Sequence, residues 1–162
     1  RAGVAIDDRV RAALSVLRAY HSVHNLWEAV PEDLIPFLER LKIRGLRRVV
    51  VSNANGTLHA HFDRLGLTPY FNAVFDSHVE KVEKPDPRFF EIALERSGAS
   101  KQTTVHVGDF YEIDVVGARR AGLDAILLDP SGINADRDAM SDVDVLPALL
   151  AESLEELLEA AQ

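Results

Sequence analysis

The residues of this sequence that could do chemistry are a hydroxyl, an amide, a lysine and two carboxylates. Ser52 and Asn53 come directly after an apolar run, Lys84 stands before a proline, and Asp109 and Asp114 follow a further apolar run. Carboxylates are the hard oxygen ligands that magnesium takes, usually one or two of them together with water. A lysine neutralises a phosphate group as a point charge. The set therefore predicts a site for a phosphate group and a divalent cation.

Each member of this set also has a plain structural interpretation. The loop with Ser52 and Asn53 precedes a predicted helix, so it is consistent either with an anion site at the helix N-terminus or with an ordinary helix cap. Lys84 is consistent with a surface lysine, and Asp109 and Asp114 with a helix cap and a first-turn acid. The order along the chain favours the chemical interpretation, because hydroxyl, lysine and carboxylates follow successive predicted strands.

The elements that must position these residues alternate along the chain. Short apolar runs indicate buried strands, and apolar residues at helical spacing, bounded by glycine or proline, indicate helices. The strands are predicted at 49–51, 73–75, 104–107 and 125–128. The helices are predicted at about 7–30, 31–44, 56–65, 87–97, 113–121 and 146–158. This alternation predicts an α/β fold, a three-layer parallel sheet covered by helices, in which ligands bind beyond the carboxyl ends of the strands.

Composition and charge exclude several other classes of protein. The chain has 162 residues, no cysteine and a formal net charge of −8. Disulfides, thiolate nucleophiles and zinc–thiolate sites are therefore excluded, and a reducing, cytoplasmic location is expected. An acidic chain without a basic stripe is not expected to bind nucleic acid. No apolar run is long enough to span a membrane.

The motifs resemble those of the haloacid dehalogenase-like hydrolases over residues 49–130. The segment 49–53 is similar to the second motif of that family, Lys84 with its proline is similar to the third, and Asp109 with Asp114 is similar to the fourth. The resemblance implies a Rossmann-like core, magnesium (Mg2+) as the cofactor and a small phosphorylated metabolite as the partner.

The resemblance also implies a role for each residue of the set. Ser52 would hydrogen-bond the transferred phosphoryl oxygens, Asn53 would help to shape the phosphate pocket, and Lys84 would stabilise the charge on the nucleophile and the phosphoryl group. Asp109 would hold magnesium, with Asp114 as a second ligand or as an orienting acid. These roles fit phosphoryl transfer, in which positioning and electrostatic stabilisation of the phosphoryl oxygens do most of the work.

The sequence departs from the family at the first motif, a strand followed by Asp-x-Asp whose first aspartate attacks phosphorus. No acid upstream of the predicted strand at 49–51 follows an apolar strand, and none of them forms Asp-x-Asp. Asp142 and Asp144 have the spacing but come after the fourth strand. We therefore expect a fragment whose sheet lacks its central first strand, and which is inactive and poorly stable alone. Residues 1–30 are interpreted as the C-terminal part of a helical cap and residues 31–162 as an incomplete Rossmann-like core.

The expected function of the complete protein is magnesium-dependent hydrolysis of small phosphate monoesters through an aspartyl-phosphate. Two alternatives stay open. A metal-independent 2-haloacid dehalogenase attacks carbon and has no need of the paired acids Asp109 and Asp114. A non-catalytic interaction protein on a degenerate fold of the same family has the missing first motif as its support. The sequence determines neither the substrate nor the oligomeric state.

The six histidines are interpreted as structural or surface residues. His106 lies within a predicted strand, and His59 and His61 stand two apart on a predicted helix, so they do not share a face. No histidine is therefore assigned to the site.

Overall fold

Strands and helices alternate in the computed structural model, which describes residues 6–24, 28–129 and 144–146. The strands are β1 Val49–Ser52, β2 Ala73–Asp76, β3 Val105–Gly108, β4 Asp124–Leu128 and β5 Asp144–Leu146. The helices are α1 Asp8–His21, α2 Leu34–Ile43, α3 Leu58–Arg64, α4 Ser77–Glu80, α5 Pro87–Ser97 and α6 Val116–Arg120. A π-helical turn, Tyr111–Val115, leads into α6, and 3₁₀ turns lie at Thr68–Tyr70 and Lys101–Thr103.

The strand pairing in the described part of the chain is parallel throughout. β1 pairs with β2, and β3, β4 and β5 pair in that order, so the strands form two groups. The predicted α/β fold with parallel strands is thus confirmed, and each of the four predicted strands is present. β5 was not predicted, and beyond Leu146 the predicted helix at 146–158 lies outside the described residues. No pairing joins β1 to β3 in the part of the chain that the structure describes, and a missing central strand stays a prediction.

Helix α1 is shorter than the helix predicted at 7–30, because it ends at His21. The Ser22 hydroxyl donates to Ala19 O at 2.8 Å. A local bond of this kind between a side chain and the backbone competes with continuation of a helix. α1 is exposed or half-buried along its whole length, and the assignment of residues 1–30 to a cap stays a prediction. Across the described ranges, no helix is both long and apolar enough to cross a membrane.

Polar contacts fix the segment after α1 on the rest of the molecule. Asn55 Nδ2 donates to His21 O at 3.3 Å. Arg64 of α3 donates to Val23 O at 3.4 Å and forms an ion pair with Glu28. The end of α1 therefore lies against the loop after β1 and against α3.

The apolar core is built around α5, which buries two of its faces. Phe89 and Ala93 pack with Phe75 of β2 and with partly buried valines of β1. Phe90 and Leu94 pack with small residues of α6 and with the start of β4. Burial of each phenylalanine contributes roughly 1.5–3 kcal/mol relative to exposure. Because its two faces pack on different strands, α5 connects the β1–β2 group with the β3–β5 group.

Candidate active site

Two of the predicted site residues, Asn53 and Lys84, are in direct contact. The Asn53 side chain accepts from Lys84 N at 2.8 Å and donates to Lys84 O at 2.9 Å. Asn53 follows β1, whereas Lys84 lies in the loop between α4 and α5, and the Lys84–Pro85 peptide bond is cis. Two hydrogen bonds to the backbone of one residue fix the point from which the lysine side chain leaves the loop.

The ammonium group of Lys84 pairs with the carboxylate of Asp114. The Lys84 Nζ to Asp114 Oδ1 distance is 2.6 Å, and the two side chains are 11% and 4% exposed. His106 Nε2 lies 3.2 Å from the same oxygen, and Phe110 N donates to Oδ2 at 2.9 Å. A buried carboxylate is costly unless it is paired and hydrogen-bonded. Both oxygens of Asp114 meet that requirement.

These contacts keep Asp114 ionised despite its burial. Burial raises the pKa of the Asp114 carboxyl, but the hydrogen bonds from His106 and Lys84, the charge of Lys84 and the Phe110 N–H outweigh it. The pKa of Asp114 therefore lies well below its ordinary value. At neutral pH the site contains a charged ammonium–carboxylate pair with little access to water.

Glycines allow the backbone segments of the site to approach one another. A Cβ on Gly108 would lie 2.3 Å from Asp114 Cγ and 2.7 Å from Asp114 Oδ2. A Cβ on Gly117 would lie 2.9 Å from the backbone Cα of Pro85. Gly108 therefore leaves room for the Asp114 side chain against the end of β3, and Gly117 lets α6 approach the loop that carries Lys84. The turn is π-helical, a geometry that is frequent at functional sites.

Ser52 and Asp109 lie beside this network without joining it. Ser52 is half-buried at the end of β1, directly before Asn53, and Asp109 is exposed between Gly108 and Phe110. Within the described ranges, neither side chain makes a hydrogen bond or an ion pair. The structure thus brings Asn53, Lys84 and Asp114 into contact and leaves the oxygens of Ser52 and Asp109 at the carboxyl ends of β1 and β3.

The two carboxylates that were predicted to bind metal have different surroundings. Both oxygens of Asp114 already accept hydrogen bonds, which fits an acid that orients Lys84. Asp109 is exposed, which fits a single carboxylate ligand of a largely hydrated Mg2+. Over the residues that the structure describes, no group of three or more histidine, aspartate or glutamate side chains is arranged to hold a metal ion.

The loop after β1 does not offer a free helix N-terminus to an anion. Asp76 Oδ2 accepts from Gly56 N at 2.9 Å and from Leu58 N at 3.3 Å. Ala54 N donates to Ser77 Oγ at 3.0 Å. These amides, which an external anion would need, are therefore bonded to side chains from the end of β2 and the start of α4. The N-cap of α3 is Thr57, whose side chain makes no cap hydrogen bond, and the first amide of α3, Leu58 N, is bonded to Asp76 instead.

His106 is a site residue that sequence reasoning missed, because it was interpreted as structural. One signal could have found it. His106 stands two residues before Gly108 in β3, and side chains two apart on a strand share a face. The face of β3 that meets Asp114 at Gly108 is therefore the face that carries the His106 ring.

The protein is thus an α/β protein with parallel strands, which carries a buried ammonium–carboxylate pair and a neighbouring exposed acid after β3. The chain belongs to the haloacid dehalogenase-like hydrolase family, whose family model matches residues 4–122. The resemblance drawn from the motifs is thus confirmed.

Individual relatives give the same result. The chain is 34% identical over 131 residues to haloacid dehalogenase-like hydrolase domain-containing protein 3 of Danio rerio. The match covers 81% of this chain and 52% of that relative. It is 34% identical over 120 residues to ribulose-1,5-bisphosphate 5-phosphatase of Halopiger xanaduensis, with coverage of 74% and 50%. The crystal structure of a HAD phosphatase from Thermococcus onnurineus aligns with a TM-score of 0.72 and 25% identity, over 89% of this chain and 63% of that one. The chain spans about half the length of the two curated relatives.

Proposed function

We propose that the complete protein hydrolyses small phosphate monoesters with the help of magnesium, through an aspartyl-phosphate. The observation that carries this proposal is the buried Lys84–Asp114 pair, which holds an ammonium group at the edge of the parallel strands. The name of the Halopiger relative, a phosphatase acting on a small phosphorylated metabolite, supports the same chemistry. A cytoplasmic location belongs to this proposal.

Three residues would bind and stabilise the phosphoryl group. Ser52 would donate its hydroxyl hydrogen to a phosphoryl oxygen. Lys84 would neutralise the charge that builds up on the phosphoryl oxygens in the transition state. Asn53 would act through the Lys84 backbone, which it holds by two hydrogen bonds.

Magnesium would be bound through Asp109, whose exposed carboxylate suits an ion that keeps most of its water. When bound, the ion would supply a positive charge that stabilises the transferring phosphoryl group. Asp114 was predicted as a second ligand or as an orienting acid. Its contacts with Lys84 and Phe110 support the orienting role.

The attacking aspartate is proposed to lie on a strand outside these 162 residues, between β1 and β3. Two observations support this. The described strands form two groups that no pairing connects, and Asp144 begins β5, which β4 separates from β3. Asp142 lies outside the described residues. On this proposal the chain alone has no nucleophile and is inactive.

Phosphate release from p-nitrophenyl phosphate by the complete protein tests the proposal. We expect activity with magnesium, loss of activity with EDTA, and a fall in kcat/KM of at least about 100-fold in Lys84→Met, the size of loss expected for a group that stabilises transition-state charge. Lys42→Met, on an exposed position of α2, is the matched control and should retain activity.

Two results would contradict the proposal. One is the absence of phosphate release from any phosphate ester by the complete protein. The other is full activity in EDTA combined with chloride release from a 2-haloacid, which would favour the dehalogenase alternative.

A further inference from the structure

We propose that His106 is a positioning residue that fixes the Asp114 carboxylate and, through it, the ammonium group of Lys84. The importance of His106 for catalysis rests on the proposed function, whereas its contact with Asp114 does not. Asp114 Oδ1 has two partners, Lys84 Nζ at 2.6 Å and His106 Nε2 at 3.2 Å. The histidine thus contacts the oxygen that also holds the lysine.

The imidazole ring of His106 is itself held rigidly. It lies in β3, whose backbone pairs with β4 in a fixed register that places His106 opposite Ala125. Its ring meets the Phe90 ring edge-on, with centroids 5.0 Å apart and planes at 85°. Its side chain is 13% exposed. A donor on a short side chain of a paired strand, with its ring packed against another ring, is more fixed than one on a long flexible side chain.

Lys84 alone cannot set the orientation of the carboxylate. An ammonium group on four methylene groups is a mobile point charge and can follow a carboxylate that rotates. The His106 ring N–H and the Phe110 backbone N–H are directional donors that bind different oxygens of the carboxylate. Because hydrogen bonds weaken when they are bent, these two donors together restrict rotation of the carboxyl group. The lysine then finds its counter-charge in one place.

The protonation state of the ring follows from its partner. An ionised carboxylate can only accept hydrogen bonds. Nε2 of His106 therefore carries the hydrogen in this contact. A replacement can substitute for histidine only if it carries an N–H that reaches the same oxygen.

The predicted consequence is a loss in kcat with little change in KM. Without its directional donor, the Asp114 carboxylate and the paired ammonium group would sample several positions. Misplacement of a charge that stabilises the transition state lowers the rate of the chemical step. Substrate binding, which also involves Ser52 and the metal, would change less.

The experiment compares three variants of the complete protein. His106→Leu removes the donor and keeps an apolar side chain against Phe90, His106→Gln keeps an N–H of similar reach, and His59→Gln at an exposed position of α3 is the control. kcat and KM are measured with p-nitrophenyl phosphate and magnesium. Hydrogen exchange of the Phe110 amide, which donates to Asp114 Oδ2, is measured by NMR and needs neither substrate nor metal.

We expect kcat to fall about tenfold in His106→Leu, with KM changed by less than about twofold. Phe110 amide exchange should become faster in the same variant, because its acceptor is no longer fixed. His106→Gln should restore most of both properties, and His59→Gln should match the unsubstituted protein. A role in packing alone would not be rescued by glutamine and would not change Phe110 exchange.

Several outcomes overturn the proposal. It fails if folded His106→Leu keeps its kcat and its Phe110 exchange rate, or if His106→Gln is as impaired as His106→Leu. If His106→Leu does not fold, His106→Asn replaces it, because the shorter asparagine amide does not reach Asp114. In that case the proposal is overturned if His106→Asn is as active as His106→Gln. If the unsubstituted protein hydrolyses no phosphate ester, the proposed function fails, and Phe110 exchange alone still decides the role of His106.

Discussion

Asp76 and Asp114 are both buried carboxylates near the carboxyl ends of strands, but their hydrogen-bond donors differ in kind. Asp76 is 1% exposed and ends β2. Its two oxygens accept from the backbone amides of Gly56, Leu58 and His78. This acid therefore holds the loop before α3 against the start of α4, without an opposite charge among its described partners.

Asp114 is satisfied by side chains instead. Lys84 and His106 both contact Oδ1, and only one backbone amide, that of Phe110, contacts Oδ2. The partner that matters is a cation on a long side chain, which can reach a bound substrate while it keeps its counter-charge. Backbone amides have no such freedom, because they are fixed by the fold.

The difference shows that burial alone does not mark a functional acid. An acid that binds only backbone amides stabilises a loop, whereas an acid that binds a lysine can position that lysine for chemistry. We therefore expect substitution of Asp114 to affect activity far more than substitution of Asp76. The matched pair Asp114→Asn and Asp76→Asn tests this expectation.

Asp114→Asn should lower activity more than Asp76→Asn does. The substitution leaves the Lys84 ammonium group largely buried without its anion, and breaking a buried pair in this way costs roughly 3–5 kcal/mol. We expect kcat/KM for phosphate release to fall at least about 100-fold, together with a lower unfolding midpoint in urea. Retention of more than a tenth of the activity would mean that the pair is structural, as in the case of Asp76.

Asp76→Asn should act mainly on stability. An asparagine keeps one acceptor oxygen but turns an NH2 group toward backbone N–H donors, so at least one buried amide loses its acceptor at a cost of about 1–3 kcal/mol. We expect a lower free energy of unfolding and a kcat within about tenfold of the unsubstituted protein at temperatures where the variant is folded. A loss of activity as large as that of Asp114→Asn would erase the distinction between the two acids.

The fold was predictable where local signals are strong. The strands β1 to β4 are short apolar runs between helices, and such runs are easy to recognise in a sequence. β5 was missed because its three residues, Asp144–Leu146, form no apolar run. The division of the strands into two groups could not be predicted either, since pairing depends on contacts between distant parts of the chain. The end of α1 at His21 could not be predicted, because no glycine or proline stands between positions 7 and 30.

The site was predictable as a set but not as a network. Ser52, Lys84, Asp109 and Asp114 could be chosen because each follows a strand, and parallel strands bring such residues to one edge. Which side chains pair could not be predicted, because the π-helical turn decides that Asp114 reaches the lysine while Asp109 stays exposed.

A third buried group, His61, gives the stability of the fold a pH dependence that is independent of the two acids. His61 is 3% exposed, its Nε2 lies 3.1 Å from Glu28 Oε1 and 3.2 Å from an Arg64 nitrogen, and its Nδ1 has no hydrogen-bond partner in the described part of the chain. Burial lowers the pKa of His61, and the charge of Arg64 and the nearby His24 add to that effect, while Glu28 opposes it. The net result is a pKa below the ordinary value.

This shift predicts a loss of stability in mild acid that involves neither Asp76 nor Asp114. The unfolded chain takes up a proton on His61 near pH 6.5, whereas the folded chain resists protonation until a lower pH is reached. The unfolded state then binds more protons, so the free energy of unfolding falls as the pH falls, by at most about 1.4 kcal/mol per pH unit for this group. Carboxyl groups in the unfolded chain titrate only near pH 4, so they contribute little between about pH 7 and pH 5.5.

Urea unfolding of the unsubstituted protein and of His61→Gln between about pH 7 and pH 5.5 measures the effect, because glutamine does not titrate in this window. The unfolding midpoint should fall more steeply with decreasing pH in the unsubstituted protein than in His61→Gln. His59→Gln, an exposed position two residues away on α3, should keep the steeper dependence. Equal slopes in all three proteins would show that His61 is protonated in the fold as readily as in the unfolded chain, and that its contact with Glu28 outweighs its burial.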